Sequence, residues 1–331
     1  MESANSNCTE FTLQICALFD ASFCAKSTII RGDTQKLLVF CLQNEPEKVY
    51  SFCTENVTAR PDVTLSKEDT SLTEHAFAVC AYKESPYLEA CICSLEKQTV
   101  SSPIVICTST PCDFISEIAE RHGLPLFVRD GESDIQADWN FAARQVDATW
   151  VTIAHQDDIY NEKYVESMMG KIRKSKNAIM AFSDYRPIIH GKISIDRNCR
   201  LRRILRSPMR WSLLAKNRFF KKRFLSMGNC ISCPSVMYNK ELIDGDIFTS
   251  KLRYSLDWDT FLKFSYRKER FVYVVKPLVY YRIHSEATSM KYINDNRRID
   301  EDITMFRKFW PSFIVKIIMH FYVKAYQTYK D

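Results

Sequence analysis

From Ala76 onward, short apolar runs alternate with segments whose apolar residues recur every three or four positions. Phe77–Tyr82 is the first run and predicts a strand. Ser85-Pro86 then supplies an N-cap and a proline at the first helical position. Leu88, Cys91, Ile92 and Leu95 follow at i, i+3, i+4 and i+7, so Tyr87–Lys97 reads as an amphipathic helix. Pro103–Cys107 is a second strand. Asp113 caps a helix carrying Phe114, Ile115, Ile118 and Ala119, with Gly123 as its stop. Leu126–Val128 reads as a strand, Asp138–Val146 as a helix, Trp150–Ala154 as a strand and Tyr160–Lys174 as a helix. Ala178–Ser183 and Lys276–Tyr280 are further strands. This β-α alternation with short connections predicts an α/β fold, an open and mostly parallel sheet with helices on both faces. Such sheets bind ligands at the carboxyl ends of their strands. Three of those ends carry polar clusters: Lys83-Glu84-Ser85, Thr108-Ser109-Thr110 and His155-Gln156-Asp157-Asp158.

Composition narrows the chemistry. Only 7 of the 331 residues are glycine, and neither G-x-G-x-x-G nor G-x-x-x-x-G-K-S/T occurs. A Rossmann dinucleotide site and a P-loop are therefore excluded, and a bound nucleotide needs another device for its phosphates. The 13 cysteines are an odd number and lie mostly inside apolar runs, as reduced core thiols do. Cys230-Ile231-Ser232-Cys233 has C-x-x-C spacing without a second ligand pair, so core cysteines are its expected role. Met1–Asp20 lacks the basic start and apolar core of a signal peptide, and a cytoplasmic location is expected. Residues 1–75 carry no motif and form an N-terminal extension of unassigned role.

Asp157-Asp158, at the end of a buried strand, has the makings of a Mg²⁺ or Mn²⁺ site. Such cations bind through one or two carboxylates plus substrate phosphates, which also replaces the missing phosphate loop. In Leu256-Asp257-Trp258-Asp259 one aspartate can cap the following helix or act as a general base toward an attacking hydroxyl. Tyr281-Arg282-Ile283-His284 closes a strand with two residues suited to a diphosphate and its metal.

Taken in order, these segments resemble the family 2 glycosyltransferases over about Ala76–Ser289. Ala81-Tyr82-Lys83-Glu84 is similar to the family's P-x-Y-N-E opening, and Tyr87-Leu88 through Ser94-Leu95 to Gln98-Thr99 to its first helix. Asp138-Trp139-Asn140-Phe141-Ala142 resembles the helix start of one subgroup. Ala154-His155-Gln156-Asp157-Asp158-Ile159-Tyr160 looks like the form of the D-x-D motif found in bacterial surface-polysaccharide transferases. Asp257-Trp258-Asp259 resembles the base region, and Tyr281-Arg282-Ile283-His284-Ser285 with Thr288-Ser289 the closing motif. The sequence departs from the pattern at His155, at Thr108-Ser109-Thr110 and at Leu256, where the family usually has carboxylates.

The resemblance implies a GT-A-type catalytic domain over residues 76–290, followed by C-terminal amphipathic helices over 291–331. It implies inverting transfer of a sugar, of hexosyl or deoxyhexosyl class, from a nucleotide-sugar donor to a glycan or lipid-linked glycan acceptor in surface polysaccharide synthesis. Tyr82, Glu84, Ser109, Asp138, Asn140 and Arg282 would bind the donor. Asp157, with Asp158 supporting and His284, would hold Mg²⁺ or Mn²⁺. Asp257 would be the base, with Asp259 the second candidate. A non-catalytic nucleotide-sugar-binding homologue fits the same residues, and the departures at His155 and Leu256 keep it open.

The net charge of +6 is concentrated in Arg197–Arg223, which holds 11 basic residues and no acid. With few aromatics for base stacking there, no nucleic-acid partner is expected. An anionic membrane surface is, with the arginines of Arg202–Arg206 among its contacts. Ile314, Val315, Ile317, Ile318, Met319, Phe321, Tyr322, Val323 and Tyr326 make the last helix apolar around most of its circumference, leaving Lys316, His320 and Lys324 as a polar stripe. Such a helix is either packed on the domain or lies in a membrane interface, and peripheral attachment at the inner face of the plasma membrane is expected.

Overall fold

The computed structural model describes residues 73–189, 191–194, 197–284 and 297–327. The extension before residue 73 and the Ser285, Thr288 and Ser289 part of the closing motif lie outside the described residues. Among the described residues nine strands form one sheet: β1 (Thr73–Ala81), β2 (Ile104–Thr108), β3 (Leu126–Val128), β4 (Ala148–His155), β5 (Ile159–Tyr160), β6 (Ala178–Ile189), β7 (Lys192–Ile193), β8 (Val236–Asn239) and β9 (Arg270–Ile283). Their order is β3-β2-β1-β4-β8-β6-β9-β5, with β7 paired to β6. The ladders from β3 to β4 are parallel, as is β6 with β9, while β8 lies antiparallel between β4 and β6.

The run that predicted the first strand is apolar on both faces because both are covered, as in parallel sheets generally. Phe77, Val79 and Ala81 point toward α1 (Leu88–Glu96), α2 (Asp113–Arg121) and α4 (Tyr164–Ile172). Ala76 and Ala78 point the other way, into a core shared with α3 (Ile135–Arg144) through Ala142 and Ala143. Small residues on both sides of that contact let α3 lie close to the sheet.

Helix boundaries differ from the sequence reading where side chains found other partners. Asp113 lies inside the first turn of α2, and Cys112 is the cap. Asp134, not Asp138, starts α3, accepting the amide of Ala137 at 2.9 Å. The Tyr160–Lys174 segment divides. Ile159–Tyr160 pairs antiparallel with Tyr280 and Val279 of β9, and the helix begins at Tyr164. The buried Tyr160 hydroxyl donates to the Pro234 carbonyl at 2.9 Å, a tertiary bond that a helical Tyr160 would forgo.

The acid-free segment folds into α5 (Arg197–Arg206), a 3₁₀ turn over Ser207–Arg210, α6 (Ser212–Lys216) and α7 (Arg218–Leu225). Its charges do two different things. Arg206 is 1% exposed; its guanidinium donates to Asp184 at 2.8 and 3.1 Å and lies 4.8 Å from the Tyr185 ring centre. Lys221 is fully buried and caps the Arg267 carbonyl at 2.8 Å. The Arg202–Arg206 stretch was expected to face lipid, but Arg206 is a core residue, since a buried guanidinium needs the carboxylate it has found.

The C-terminal helices, α9 (Arg297–Arg307) and α10 (Ser312–Gln327), pack on α8 (Leu256–Ser265). Met305, Phe306, Val315 and Met319 belong to the same core as Val151 and Trp258. Burial accounts for one face of α10, while Phe313, Ile317 and Phe321 remain exposed. Of Lys324 and Tyr326 only the helical backbone is described. No helix among the described residues is long and apolar enough to cross a membrane.

His75 on β1 is 3% exposed, 3.0 Å from both Ser102 Oγ and Thr152 Oγ1. Burial pushes its imidazole down to about 3, so it is folded in neutral and takes a proton only on unfolding. The unfolded chain therefore binds more protons below the ordinary histidine pKa of 6.5. Stability contributed by the neutral form is present above that value and falls as pH drops toward 3, by up to about 1.4 kcal/mol per pH unit. Urea unfolding at pH 7 and pH 5 should show this loss, and His75→Gln should show less of it. Equal losses in the two proteins would assign the effect elsewhere.

Candidate active site

The strand order reverses between β1 and β4. The chain leaving β1 runs on to β2 toward one edge of the sheet and the chain leaving β4 toward the other, and a crevice opens between them. A cleft of about 590 Å³ lies there, a volume suited to a small-molecule ligand. Its walls include Tyr82, Glu84, Asp138, Asp157, Asp158, Asp257, Arg282 and His284, so eight of the eleven residues expected from sequence meet in one cavity.

The rim is held by backbone. Gln156 accepts the Tyr82 amide through Oε1 at 2.8 Å and donates from Nε2 to the Tyr82 carbonyl at 3.0 Å, tying the exits of β4 and β1 together. Lys83 then adopts a left-handed conformation (φ 52°), and its amide donates to Thr110 Oγ1 at 2.7 Å. A lysine at positive φ is uncommon, and its neighbours here over-determine it.

Asp157 faces the cavity. Ser85 donates to its Oδ1 at 3.0 Å, and His284 Nε2 stands 3.2 Å from its Oδ2. The same His284 Nε2 is buried and makes no hydrogen bond. Two donors on one Mg²⁺ or Mn²⁺, each about 2.1 Å from it and at right angles, stand about 3 Å apart. Carboxylate and orphaned imidazole thus fit a hard divalent cation. Tyr87 orients this wall, with the Arg282 guanidinium 4.3 Å from its ring centre and the His284 ring 5.0 Å away.

Asp158 is turned inward and only 4% exposed, accepting the Arg282 amide at 3.1 Å. Burial, together with the neighbouring Asp157 charge, pushes its carboxyl up to about 8, against the opposing pull of that amide. It braces β9 against the loop after β4 and supports Asp157. His155 stacks on Trp139 with ring centres 4.9 Å apart. Burial lowers its pKa to about 4, so a neutral imidazole occupies the position where a carboxylate would carry charge.

Asp138 gathers the β2 end. It accepts Arg129 Nε at 2.6 Å and the hydroxyls of Ser109 and Ser133, both at 3.0 Å. Ser109 does not line the cleft; it braces the carboxylate that does. A carboxylate therefore stands beside Thr108-Ser109-Thr110 after all, delivered by α3. Asn140 requires a correction. It is buried, and its amide exchanges two hydrogen bonds with the Phe248 backbone at 2.7 and 2.9 Å, away from the cleft. It anchors α3 and offers nothing to a ligand.

The aspartates of α8 separate cleanly. Asp257 lines the cleft, accepting Asn229 Nδ2 on Oδ2 and the Trp258 amide on Oδ1, both at 2.7 Å. Burial raises its pKa, which makes it a better proton acceptor. Asp259 is 4% exposed and faces Lys308, at 2.5 Å, and Lys263, at 2.9 Å. Although burial opposes its ionisation, hydrogen bonds from Lys308, Ser250 and Lys263 hold it below the usual carboxylate range. It is an anchor for α9 and is withdrawn as a base candidate.

Ser85, Tyr87, Gln156 and Asn229 were not assigned from sequence. Ser85 and Gln156 stood inside the polar strand-end clusters; nothing in the pattern marked Asn229. Its position comes from the C-terminal helices. Trp310 Nε1 donates to the Ser226 carbonyl at 2.8 Å, and Tyr322 lies against Gly228, where a Cβ would come within 3.0 Å of its ring. From α9, the Glu301 carboxylate accepts the amides of Arg253, Tyr254 and Ser255 at 2.8–2.9 Å. It ties down the three residues that lead into α8, whose first turn carries Asp257.

A family model described as Glycosyl transferase family 2 matches residues 77–242, half of the chain. No curated protein matches by sequence. Among solved structures, the mannosyltransferase PcManGT from Pyrobaculum calidifontis, in complex with GDP-Man and Mn²⁺, aligns with a TM-score of 0.52 at 14% identity, covering 77% of this chain and 70% of that one. S. aureus TarS 1–349 in complex with UDP-GlcNAc aligns at 0.49 and 16% identity, covering 75% and 70%. The α/β architecture is the GT-A fold.

Glu301→Ala should lower stability by about 1–3 kcal/mol, since it leaves the amides of Arg253, Tyr254 and Ser255 without their acceptor. An unchanged urea midpoint would show that the segment leading into α8 is held by other contacts.

Proposed function

The chain belongs to glycosyl transferase family 2, and we propose that it transfers a sugar from a nucleotide-sugar donor to the hydroxyl of a glycan or lipid-linked glycan acceptor, with inversion. The observation that carries this reading is the meeting, in one cleft at the strand-order reversal, of a cation-compatible pair and a separate raised-pKa carboxylate. Asp157 with His284 forms the pair, and Asp257 is the carboxylate. Uncombined, each has a bland explanation; together they supply the two functions that glycosyl transfer needs.

In this reading Tyr82 and Glu84 flank the nucleoside and Asp138 reads its base or ribose. Arg282, fixed over Tyr87, faces the diphosphate. Asp157 and His284 would hold Mg²⁺ or Mn²⁺, whose role when bound is to neutralise charge developing on the departing diphosphate. Mn²⁺ is also the cation in the PcManGT complex. Asp257 accepts the proton of the acceptor hydroxyl as that oxygen bonds to the anomeric carbon and the bond to the diphosphate oxygen breaks. Asn229 fixes its orientation. His155, neutral and stacked on Trp139, contributes a hydrogen-bonding nitrogen beside the sugar without adding charge. The donor sugar is of hexosyl or deoxyhexosyl class, and the acceptor belongs to surface polysaccharide synthesis.

A thermal-shift panel of UDP- and GDP-sugars with and without Mn²⁺ identifies the donor, because a ligand that binds the native state raises its melting temperature. Asp157→Asn and His284→Ala should each remove the Mn²⁺-dependent part of that shift while leaving the protein folded. Normal Mn²⁺-dependent binding in both would place the cation elsewhere.

Asp257→Asn should keep donor affinity and lower turnover by about 10²–10⁴, the scale of a lost general base. Calorimetric donor binding and initial rates separate the two effects. A variant that loses donor affinity, or loses no turnover, would remove Asp257 from the chemistry.

A further inference from the structure

The acid-free segment has an outward side that the site does not use. Between the buried Arg206 and Lys221 the chain forms a ridge on which Leu213 is 85% exposed, Phe219 67% and Trp211 58%. Arg210, Lys216 and Arg218 are exposed among them. Among the described residues no carboxylate forms an ion pair with these three cations. The neighbouring turn between α8 and β9 continues the same character. Tyr266 is 49% exposed beneath the Lys222 ammonium, and Arg270 donates to Ser212 at 2.9 Å. The one acid there, Glu269, is buried and paired with Arg267 at 3.1 Å.

Each feature alone is ordinary; the combination is not. Single exposed apolar residues are common on any surface. Large apolar side chains held in water by the part of the chain richest in positive charge have the composition of a membrane-interface element: cations for anionic headgroups, aromatic and aliphatic side chains for the acyl boundary. A nucleic acid would also meet the charge but gains little from Leu213. The segment also reaches the cleft, because Arg202 of α5 lines it and donates to the Tyr185 hydroxyl at 3.2 Å.

We propose that the ridge Arg210–Phe219 docks this protein on an anionic lipid bilayer, with Trp211, Leu213 and Phe219 entering the interface and Arg210, Lys216 and Arg218 against the headgroups. This relocates the expected membrane contact from Arg202–Arg206 to α6 and the start of α7. It deepens the reading of a lipid-linked acceptor and rests on that reading only for its purpose. Docking itself is measured without donor or acceptor.

The test is co-sedimentation of the full chain with vesicles of phosphatidylcholine alone or with about one-third phosphatidylglycerol, at low and high salt. Two triple variants are compared: Arg210→Ser with Lys216→Ser and Arg218→Ser, and Trp211→Ser with Leu213→Ser and Phe219→Ser. All six positions are exposed, so both variants should keep the parent's melting temperature and Mn²⁺-dependent donor binding. The parent should pellet with anionic vesicles only and be released by high salt. The charge variant should bind about 100-fold more weakly, at roughly fivefold per basic residue. The apolar variant should lose at least tenfold, a loss that duplex DNA binding would not share. Failure of the parent to pellet with anionic vesicles, parental vesicle binding by either variant, or equal loss of DNA and vesicle binding in the apolar variant would overturn the proposal. None of these outcomes would touch donor binding, so the enzymatic reading stands or falls separately.

Discussion

The ladder between β1 and β4 runs parallel from the Thr73–Ala148 pair to Cys80–His155, and the remainder of the site is arranged around its upper end. Because the two strands are neighbours whose connections lead toward opposite edges of the sheet, backbone alone creates a crevice there. The side chains then hold it open at fixed width: Gln156 pairs with both polar groups of Tyr82, and Thr110 receives the amide of the left-handed Lys83. Asp157 lies one residue beyond Gln156, so its direction is set by the same clamp. A register slip of one residue in this ladder would invert every side chain along β1 or β4 and bury the wrong face.

The opposite wall depends on a longer chain of contacts. The N-cap residue of α8, Ser255, makes no side-chain cap; Glu301, from a helix more distant in the chain, accepts the amides of Arg253, Tyr254 and Ser255 and so fixes the approach to that helix. Trp310 and Tyr322 fix the loop that presents Asn229, and Asn229 fixes Asp257. The C-terminal helices therefore support the wall that carries Asp257 and share its core. Two aspartates, two positions apart on one helix, end with opposite proton affinities: burial raises Asp257, while two lysines hold Asp259 low. Environment, and not residue type, sets which of them is suited to accept a proton.

The basic segment shows the same division by environment. Arg206 and Lys221 are cations consumed by the fold, one by Asp184 and the other by carbonyls at the α8–β9 turn. Their burial turns Arg210, Trp211, Leu213, Lys216, Arg218 and Phe219 outward as a ridge. Positive charge in that stretch thus serves packing at Arg206 and Lys221 and stays exposed between them.

Local patterning determined most of the elements and much of the site. Apolar runs of five or six residues fixed β1, β2, β4 and the start of β6, because a strand covered on both faces can hold little else. The i, i+3, i+4 spacing fixed α1 and α2, and polar clusters at strand ends marked Asp157, Glu84 and, with the closing motif, Arg282 and His284. Tertiary structure decided what depended on partners distant in the chain. Tyr160 became a strand residue because β9 and the Pro234 carbonyl were there to meet it. Asn140 and Asp259 matched a motif, yet the Phe248 backbone and Lys308 claimed them as anchors. Asn229, Glu301 and the buried Arg206 carry no local signature at all. Hydrogen bonds and burial act through space, and the sequence records only the residue types they require.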